Sequence, residues 1–422
     1  MGELFREIEY VEEALRRYLN VIKQPSIEIE EVPLEEALHR ILAEDITANI
    51  DIPPFDRAAM DGYAVRAEDT FGASENNPIE LKVIGESKIG DPFDGEVNEN
   101  EAVKIDTGAE VPHGANAVIP IEYVEEEKDI IKVYKQVAPF DNIGKRGEDI
   151  KRGMLLLKNG TELKPWDLAL IKSIGLKQVK VYRKLRVGVF STGNELIDDA
   201  TDVTKLRGKI IDTNRTMIKT LLKELNCVII DYGIISDEID EIKNAIKKAR
   251  SETDILITIG GTSVGERDFL HKAINETGTP GVIIRGITAS PGRPLVLSLI
   301  DEFPIISLPG YPVATFVDFM EFAIPVIEFL QRKRGYRVPN KVRAKLVRRV
   351  SSKPGVRHYV RVKLTKKDTE LLAEPIRITG SGVLSSVVKA DGFLIIPEDK
   401  EGYEAGEEVE IILLRNRIGV WE

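Results

Sequence analysis

A chain of 422 residues, 42% hydrophobic and 31% charged, has a globular composition that excludes disorder, and at roughly 150 residues per domain it has room for about three cores. Its 59 basic and 70 acidic residues leave a net charge of −11, which excludes a general basic face for nucleic acid and requires any anionic ligand to find local cations. A single cysteine, Cys227, excludes a disulfide framework, a CxxC pair and a cysteine zinc site, and implies a reducing interior.

The first twenty residues lack the basic-then-apolar order of a signal peptide, and no apolar run reaches about 18 residues, so a cytoplasmic protein that does not enter a membrane is expected. Residues 4–23 carry Leu4, Ile8, Val11, Leu15, Leu19 and Ile22 at spacings of three and four, which predicts an amphipathic helix ending near Pro25. A second short helix is predicted over 34–42, before Pro53-Pro54 forces a loop. From about 60 to 140, short β-branched segments at 79–83, 102–105, 117–120 and 130–134, separated by Gly, Pro, Asn and Asp, predict a small β domain. An apolar run at 154–157 and a helix at 166–173 follow.

The pattern changes at Leu185. Five apolar runs, at 185–190, 228–233, 255–260, 295–299 and 305–308, are mostly linked by helical stretches at 215–225, 237–250, 269–276 and 312–331, the first two after the cap-type residues Asn214 and Ser236. Strand and helix in alternation predict a mostly parallel sheet covered by helices. Cys227 stands at the head of the second run, in Cys-Val-Ile-Ile, and reads as inert packing. After Gly335 the β pattern returns at 341–350, 359–364, 393–396 and 409–413, which predicts a C-terminal all-β domain.

Ligands of such a sheet collect beyond the carboxyl ends of its strands. The junctions there are Ser191-Thr192-Gly193-Asn194-Glu195, the segment 260–268, Ser290-Pro291-Gly292-Arg293-Pro294 and Leu308-Pro309-Gly310-Tyr311-Pro312. The 260–268 segment combines glycines, two hydroxyls and a helix start, which lets backbone N–H groups surround a phosphate. It lacks the Gly-Lys-Ser/Thr of a P-loop, and no Gly-x-Gly-x-x-Gly opens a helix. Asp212, with Glu195 and Asp268, supplies carboxylates of the kind that bridge Mg²⁺ to substrate phosphates, although Asp212 or Asn214 could equally cap the helix that follows. Gly261-Thr262-Ser263-Val264-Gly265 also fits the Gly-x-Ser-x-Gly elbow, leaving a serine hydrolase using Ser263 as an alternative. With only His39, His113, His271 and His358 available, and His271 just eight residues on, a triad in the usual order is hard to assemble.

An ordered series of motifs resembles the molybdopterin molybdenumtransferase (MoeA) family, which is related to the gephyrin E domain. The series runs Pro54-Phe55-Asp56 with residues 59–65, Ile105-Asp106-Thr107-Gly108-Ala109 with Val111-Pro112, Arg146-Gly147-Glu148-Asp149-Ile150, residues 191–196, Asp212-Thr213-Asn214, and residues 260–265. The resemblance implies a multidomain α/β plus β protein: a discontinuous linking domain (27–45 and 141–182), a β domain (46–140), a molybdopterin-binding-like α/β domain (1–26 and 183–335) and a C-terminal β barrel (336–422). It further implies a homodimer, with the cleft between the α/β domain of one subunit and the second domain of its partner. The implied reaction is Mg²⁺-dependent insertion of molybdate, or tungstate, into adenylylated molybdopterin with release of AMP. The implied catalytic positions are Asp61, Thr107, Asp149, Glu195 and Asp268, with Glu195, Asp212 and Asp268 toward the metal. Thr192, Gly260, Gly261, Thr262, Ser263 and Arg293 would bind phosphate and nucleotide, and Arg293, Arg361 and Ser381 the oxyanion. A noncatalytic scaffold of the same fold is a further alternative, since gephyrin-type proteins also bind partners. Two positions depart from the family pattern: Ser290-Pro291-Gly292-Arg293-Pro294 stands where Lys-Pro-Gly-Lys-Pro is usual, and Tyr311 replaces Asn.

Overall fold

The computed structural model describes residues 8–199, 206–262, 269–335, 337–377 and 380–415. These fall into two compact units, one comprising residues up to 30, 39–41 and from 181 onward, the other 31–38 and 42–180. Among the described residues no helix is long and apolar enough to cross a membrane.

The smaller unit is built on a six-stranded sheet in the order 117–120, 62–65, 101–105, 79–87, 130–133, 124–127. Tyr63, Val65, Leu81, Ala102, Ile119, Ile131 and Val133 alternate onto one face as its core. The helix over Pro165–Ser173 forms close to expectation, with Pro165 at its first turn where a missing N–H costs nothing. No helix forms over 34–42. A 3₁₀ turn at Leu34–Glu36 stops at Ala37, His39 takes φ +60, and Leu42 turns inward to donate its N–H to Thr161.

The larger unit contains the predicted α/β domain. Its sheet strands are β1 (Arg186–Thr192), β2 (Val228–Ile235), β3 (Ile255–Ile259), β4 (Pro280–Arg285), β5 (Val296–Ile300) and β6 (Phe303–Leu308), arranged β2-β1-β3-β6-β5-β4. The first four in that order are parallel, and β5 runs antiparallel to both of its neighbours, β6 and β4. Sequence periodicity did not reveal β4, because Pro280-Gly281 opens it and a register shift interrupts it at 282–284. Alternate side chains feed two cores: Val187, Val189, Ile257 and Leu308 on one face, Phe190, Leu256 and Ile305 on the other, as a sheet covered on both faces requires.

The N-terminal helix (Val11–Val21), whose partner the sequence did not name, covers the first face with Val11, Ala14 and Tyr18. The buried Tyr18 hydroxyl donates to the Ser298 carbonyl at 2.8 Å. Cys227 lies just before β2, and burial pushes its thiol up to about 12, which makes it an inert packing group. The helical run from 312 to 330 is continuous but carries a π-helical turn at Phe319–Ala323, just before Pro325, whose missing N–H disturbs the α-helical ladder.

The C-terminal strands close into a five-stranded barrel. Residues 357–367 pair with 370–377, which pair with 341–346, then 408–413, then 392–396, which return to 357–367. The strand at 370–377 was missed in the sequence because its pattern is broken at Pro375. Ala289–Ser290, from the loop between β4 and β5, adds a parallel pairing to Arg357-His358.

Candidate functional site

Three central parallel strands end together. The N–H of Gly260, just beyond β3, donates to the Leu308 carbonyl of β6 at 2.9 Å. Gly260 has φ +91, and a Cβ there would sit 2.4 Å from the Thr192 carbonyl oxygen of β1, so only glycine permits this approach. A Cβ on Gly261 would lie 3.0 Å from Thr192 Cγ2. The structure therefore brings Thr192, Gly260, Gly261 and buried Thr262, four of the residues expected to bind phosphate, to one edge. Ser263 and Asp268 lie outside the described residues.

The loop after β1 is fastened by a residue the sequence reading passed over. Asp237 accepts from the Thr192 hydroxyl at 2.5 Å and from the Asn194 N–H at 3.2 Å, while its own N–H donates to the Asn194 side chain at 3.3 Å. Ser236 and Asp237 had been read as the opening of a helix, but that helix begins at Ile239 with Glu238 at its N-cap. The clamp holds Glu195 beside Gly193, with both carboxylate oxygens 2.9 Å from where a Gly193 Cβ would stand. Glu195 is exposed to solvent.

Asp212 takes the capping alternative. It is the N-cap of the helix Thr213–Glu224, one oxygen accepting from the Arg215 N–H and the other from Arg215 Nε, both at 3.0 Å. Asn214, read as the cap, instead sits inside the helix and donates to the Gly310 carbonyl at 2.7 Å. The buried Arg215 also pairs with the part-exposed Asp231 and the exposed Asp198, a network that anchors the helix start. Among the described residues no three Asp, Glu, His or Cys side chains are arranged to cage a metal. A hard cation held by one or two carboxylates needs no such cage, and Glu195 is the exposed carboxylate at this edge.

In the smaller unit, Asp61 and Thr107 meet because the antiparallel register sets Gly62 opposite Ile105. Asp61 accepts from both the hydroxyl (2.6 Å) and the N–H (2.7 Å) of Thr107, and these bonds hold its carboxyl below the usual range. Asp149 is exposed on a separate loop whose neighbour Arg146 is held by Asp56, part of the first motif, and by Asp51, which no motif includes.

The predicted oxyanion residues line one cavity of about 880 Å³ in the larger unit, together with Ser290 and Tyr311. Arg361 is fully buried, held by the carbonyls of Tyr359 (3.4 Å) and Gly380 (3.3 Å). Ser381 is positioned through its carbonyl, which accepts from the Val313 N–H at 2.9 Å. Arg293 is exposed at the same cavity.

Beneath the Gly292 wall of this cavity lies Asp318, fully buried, with neither carboxyl oxygen hydrogen-bonded among the described residues. Burial, reinforced by the nearby Glu321, pushes its carboxyl well above the carboxylate range. The folded protein then keeps a proton that the unfolded chain releases above about pH 4, so this group's stabilising contribution is present at low pH and falls as pH rises toward the folded value. In thermal melts between pH 5 and 9, Asp318→Asn is expected to gain on the wild type as pH rises; a gap that stays constant or narrows would show that the group does not titrate this way. The buried His271, which burial and Arg285 push down to about 4, is a neutral imidazole at pH 7.

Three family models together span the chain: the MoeA N-terminal region (domain I and II) at residues 10–175, a probable molybdopterin binding domain at 188–328, and the MoeA C-terminal region (domain IV) at 343–414. The chain is 36% identical over 415 residues to the molybdopterin molybdenumtransferase of Bacillus subtilis, covering 97% of this chain and 95% of that one. It is 34% identical over 417 residues to the enzyme of the same name from Haemophilus influenzae, covering 97% and 99%. The crystal structure of a molybdopterin biosynthesis MoeA protein from Pyrococcus horikoshii OT3 superposes with a TM-score of 0.82 at 39% identity, covering 96% of this chain and all of that one.

Proposed function

The chain belongs to the MoeA family of molybdopterin molybdenumtransferases, and from that premise we propose that it inserts molybdate or tungstate into adenylylated molybdopterin and releases AMP, with Mg²⁺ assisting and a homodimer as the working form. The observation that carries this reading is the gathering of the buried Arg361, the half-buried Ser381 and the exposed Arg293 on one cavity, since guanidinium and hydroxyl donors suit a tetrahedral dianion. Charge-assisted bonds of this kind contribute roughly 1.5–3 kcal/mol each.

The chemistry asks little of the protein's own nucleophiles. The two substrate sulfurs replace one oxo group of the oxyanion, and that oxygen leaves as water with two protons, which a dithiol form of the substrate itself supplies. Water cleaves the phosphoanhydride, leaving AMP and a phosphate monoester. Mg²⁺ at the phosphates would offset their charge and polarise the bond being broken. Thr262 and the N–H of Gly261 orient the phosphates at an edge shaped by Gly260 and Thr192, and Glu195, on the loop fastened by Asp237, would hold Mg²⁺ beside them. Asp61, Thr107 and Asp149 are further catalytic positions in this reading, with Asp61 held ionised by its two bonds from Thr107. The serine-hydrolase and scaffold alternatives lose their motive, because full-length relatives at 34–36% identity carry the transferase name.

Metal dependence provides the check. Stripping the protein with a chelator is expected to stop AMP release from adenylylated molybdopterin, and added Mg²⁺ to restore it; release that continues unchanged after chelation would remove Mg²⁺ from the reading.

A further inference from the structure

The cavity around the oxyanion residues is far larger than an oxyanion needs. Four oxygens around a metal occupy roughly four water volumes, about 120 Å³ at ~30 Å³ each. The cavity holds about 880 Å³, in the range of a site for an organic ligand. Beyond Arg293, Arg361 and Ser381 its lining combines further polar groups, Lys353 and His358 among them, with an apolar stretch at Pro291, Pro294 and Pro309, and Tyr311 gives it its only phenyl ring among the described residues. That ring is 63% exposed. It is also held in place. A Cβ on Gly382 would lie 3.4 Å from Tyr311 Cδ1, so the ring packs over a glycine that adds no side chain of its own. The Tyr311 backbone is fixed in turn, its carbonyl accepting from the Thr315 N–H (2.9 Å) and hydroxyl (3.0 Å).

A rigid, exposed aromatic face beside an anion site matches a ligand that joins a flat heteroaromatic ring to a metal-binding end. We propose that Tyr311 is a stacking platform for the pterin ring of the substrate, setting that ring beside the oxyanion held by Arg361 and Ser381. The inference rests on the transferase reading and assigns a part of the substrate to this cavity. Tyr311 is a binding and positioning residue that takes no part in proton or group transfer. Its contribution is an aromatic surface that positions the dithiolene carbons, attached next to the ring, against the metal.

Two readouts separate this inference from the reading beneath it. The first is direct binding of adenylylated molybdopterin, followed by quenching of the pterin's own fluorescence, without turnover. Tyr311→Ala is expected to weaken it about tenfold, the scale of one aromatic stacking contact, while Tyr311→Phe, which keeps the ring, retains wild-type affinity. The second is the affinity for AMP alone and for molybdate alone, which both variants are expected to keep. Wild-type quenching in Tyr311→Ala overturns the stacking role even if metal insertion proceeds. Equal loss in Tyr311→Phe and Tyr311→Ala also overturns it, because the hydroxyl would then be the contact. Absence of AMP release in the wild-type protein strikes the transferase reading instead, and the fluorescence titration still decides whether Tyr311 binds the ring.

Discussion

Arg361→Met is expected to weaken molybdate and tungstate binding by about two to three orders of magnitude and leave AMP binding intact. The guanidinium is fully buried at the wall of the cavity, where it donates to the main-chain carbonyls of Tyr359 at 3.4 Å and Gly380 at 3.3 Å. A dianion would bring a charged acceptor into a region where water screens little. Methionine keeps much of the side-chain volume and removes the charge, so the fold has the best chance of surviving. Because a buried arginine can also brace the barrel, Ser381→Ala is the companion variant, with an expected loss of about tenfold from one hydrogen bond. Equilibrium dialysis with the oxyanion, alongside a thermal melt, reads both. Unchanged oxyanion affinity in two folded variants would remove this cavity from the reaction.

Glu195→Gln should reduce AMP release by about a hundredfold or more while oxyanion binding in the cavity is unaffected. The substitution is nearly isosteric and the residue is exposed, so stability should change little. What is lost is the negative charge that a clamped loop presents at the strand ends: Asp237 fixes Thr192 and Asn194 on either side of Gly193, and the Glu195 carboxylate sits against that glycine. Asp237→Asn should reproduce part of the loss, because the amide can accept from one of the two partners but no longer carries the charge that strengthens both bonds. Single-turnover release of AMP measures both variants, and wild-type rates in Glu195→Gln would contradict its place at the phosphates.

How much of this was legible beforehand depended on whether the signal was local. The runs leading into Phe190, Ile259 and Leu308 stand out because a strand buried on both faces must be continuously apolar. β4 and the strand at 370–377 did not, since each is interrupted by proline or a register shift and draws its stability from neighbours far away in sequence. The short helix expected over 34–42 failed for a tertiary reason, His39 adopting φ +60 while Leu42 is drawn into the interior.

The site divides in the same way. Glycines and hydroxyls at 192 and 260–262 could be read from composition and position, because a strand end before a helix is a local pattern. The meeting of Asp61 with Thr107 required the register Gly62 to Ile105, which no spacing reveals. The joint oxyanion role of Arg361, Ser381 and Arg293, separated by up to 88 residues of chain, came from the family resemblance, and the fold lines one cavity with all three. Asp237 and Asp318 were missed because their importance lies in what surrounds them: a hydroxyl and an N–H for one, no hydrogen-bond partner among the described residues for the other.

The central claim is that phosphoanhydride cleavage and metal insertion are coupled in this one protein. The direct measurement is to incubate the pure chain with adenylylated molybdopterin, Mg²⁺ and molybdate, and in parallel tungstate, and to count AMP released and metal retained by the pterin in the same sample. One AMP per metal inserted, with both falling together in Glu195→Gln, is the predicted result. AMP release without metal uptake, or no release with either oxyanion, would contradict it.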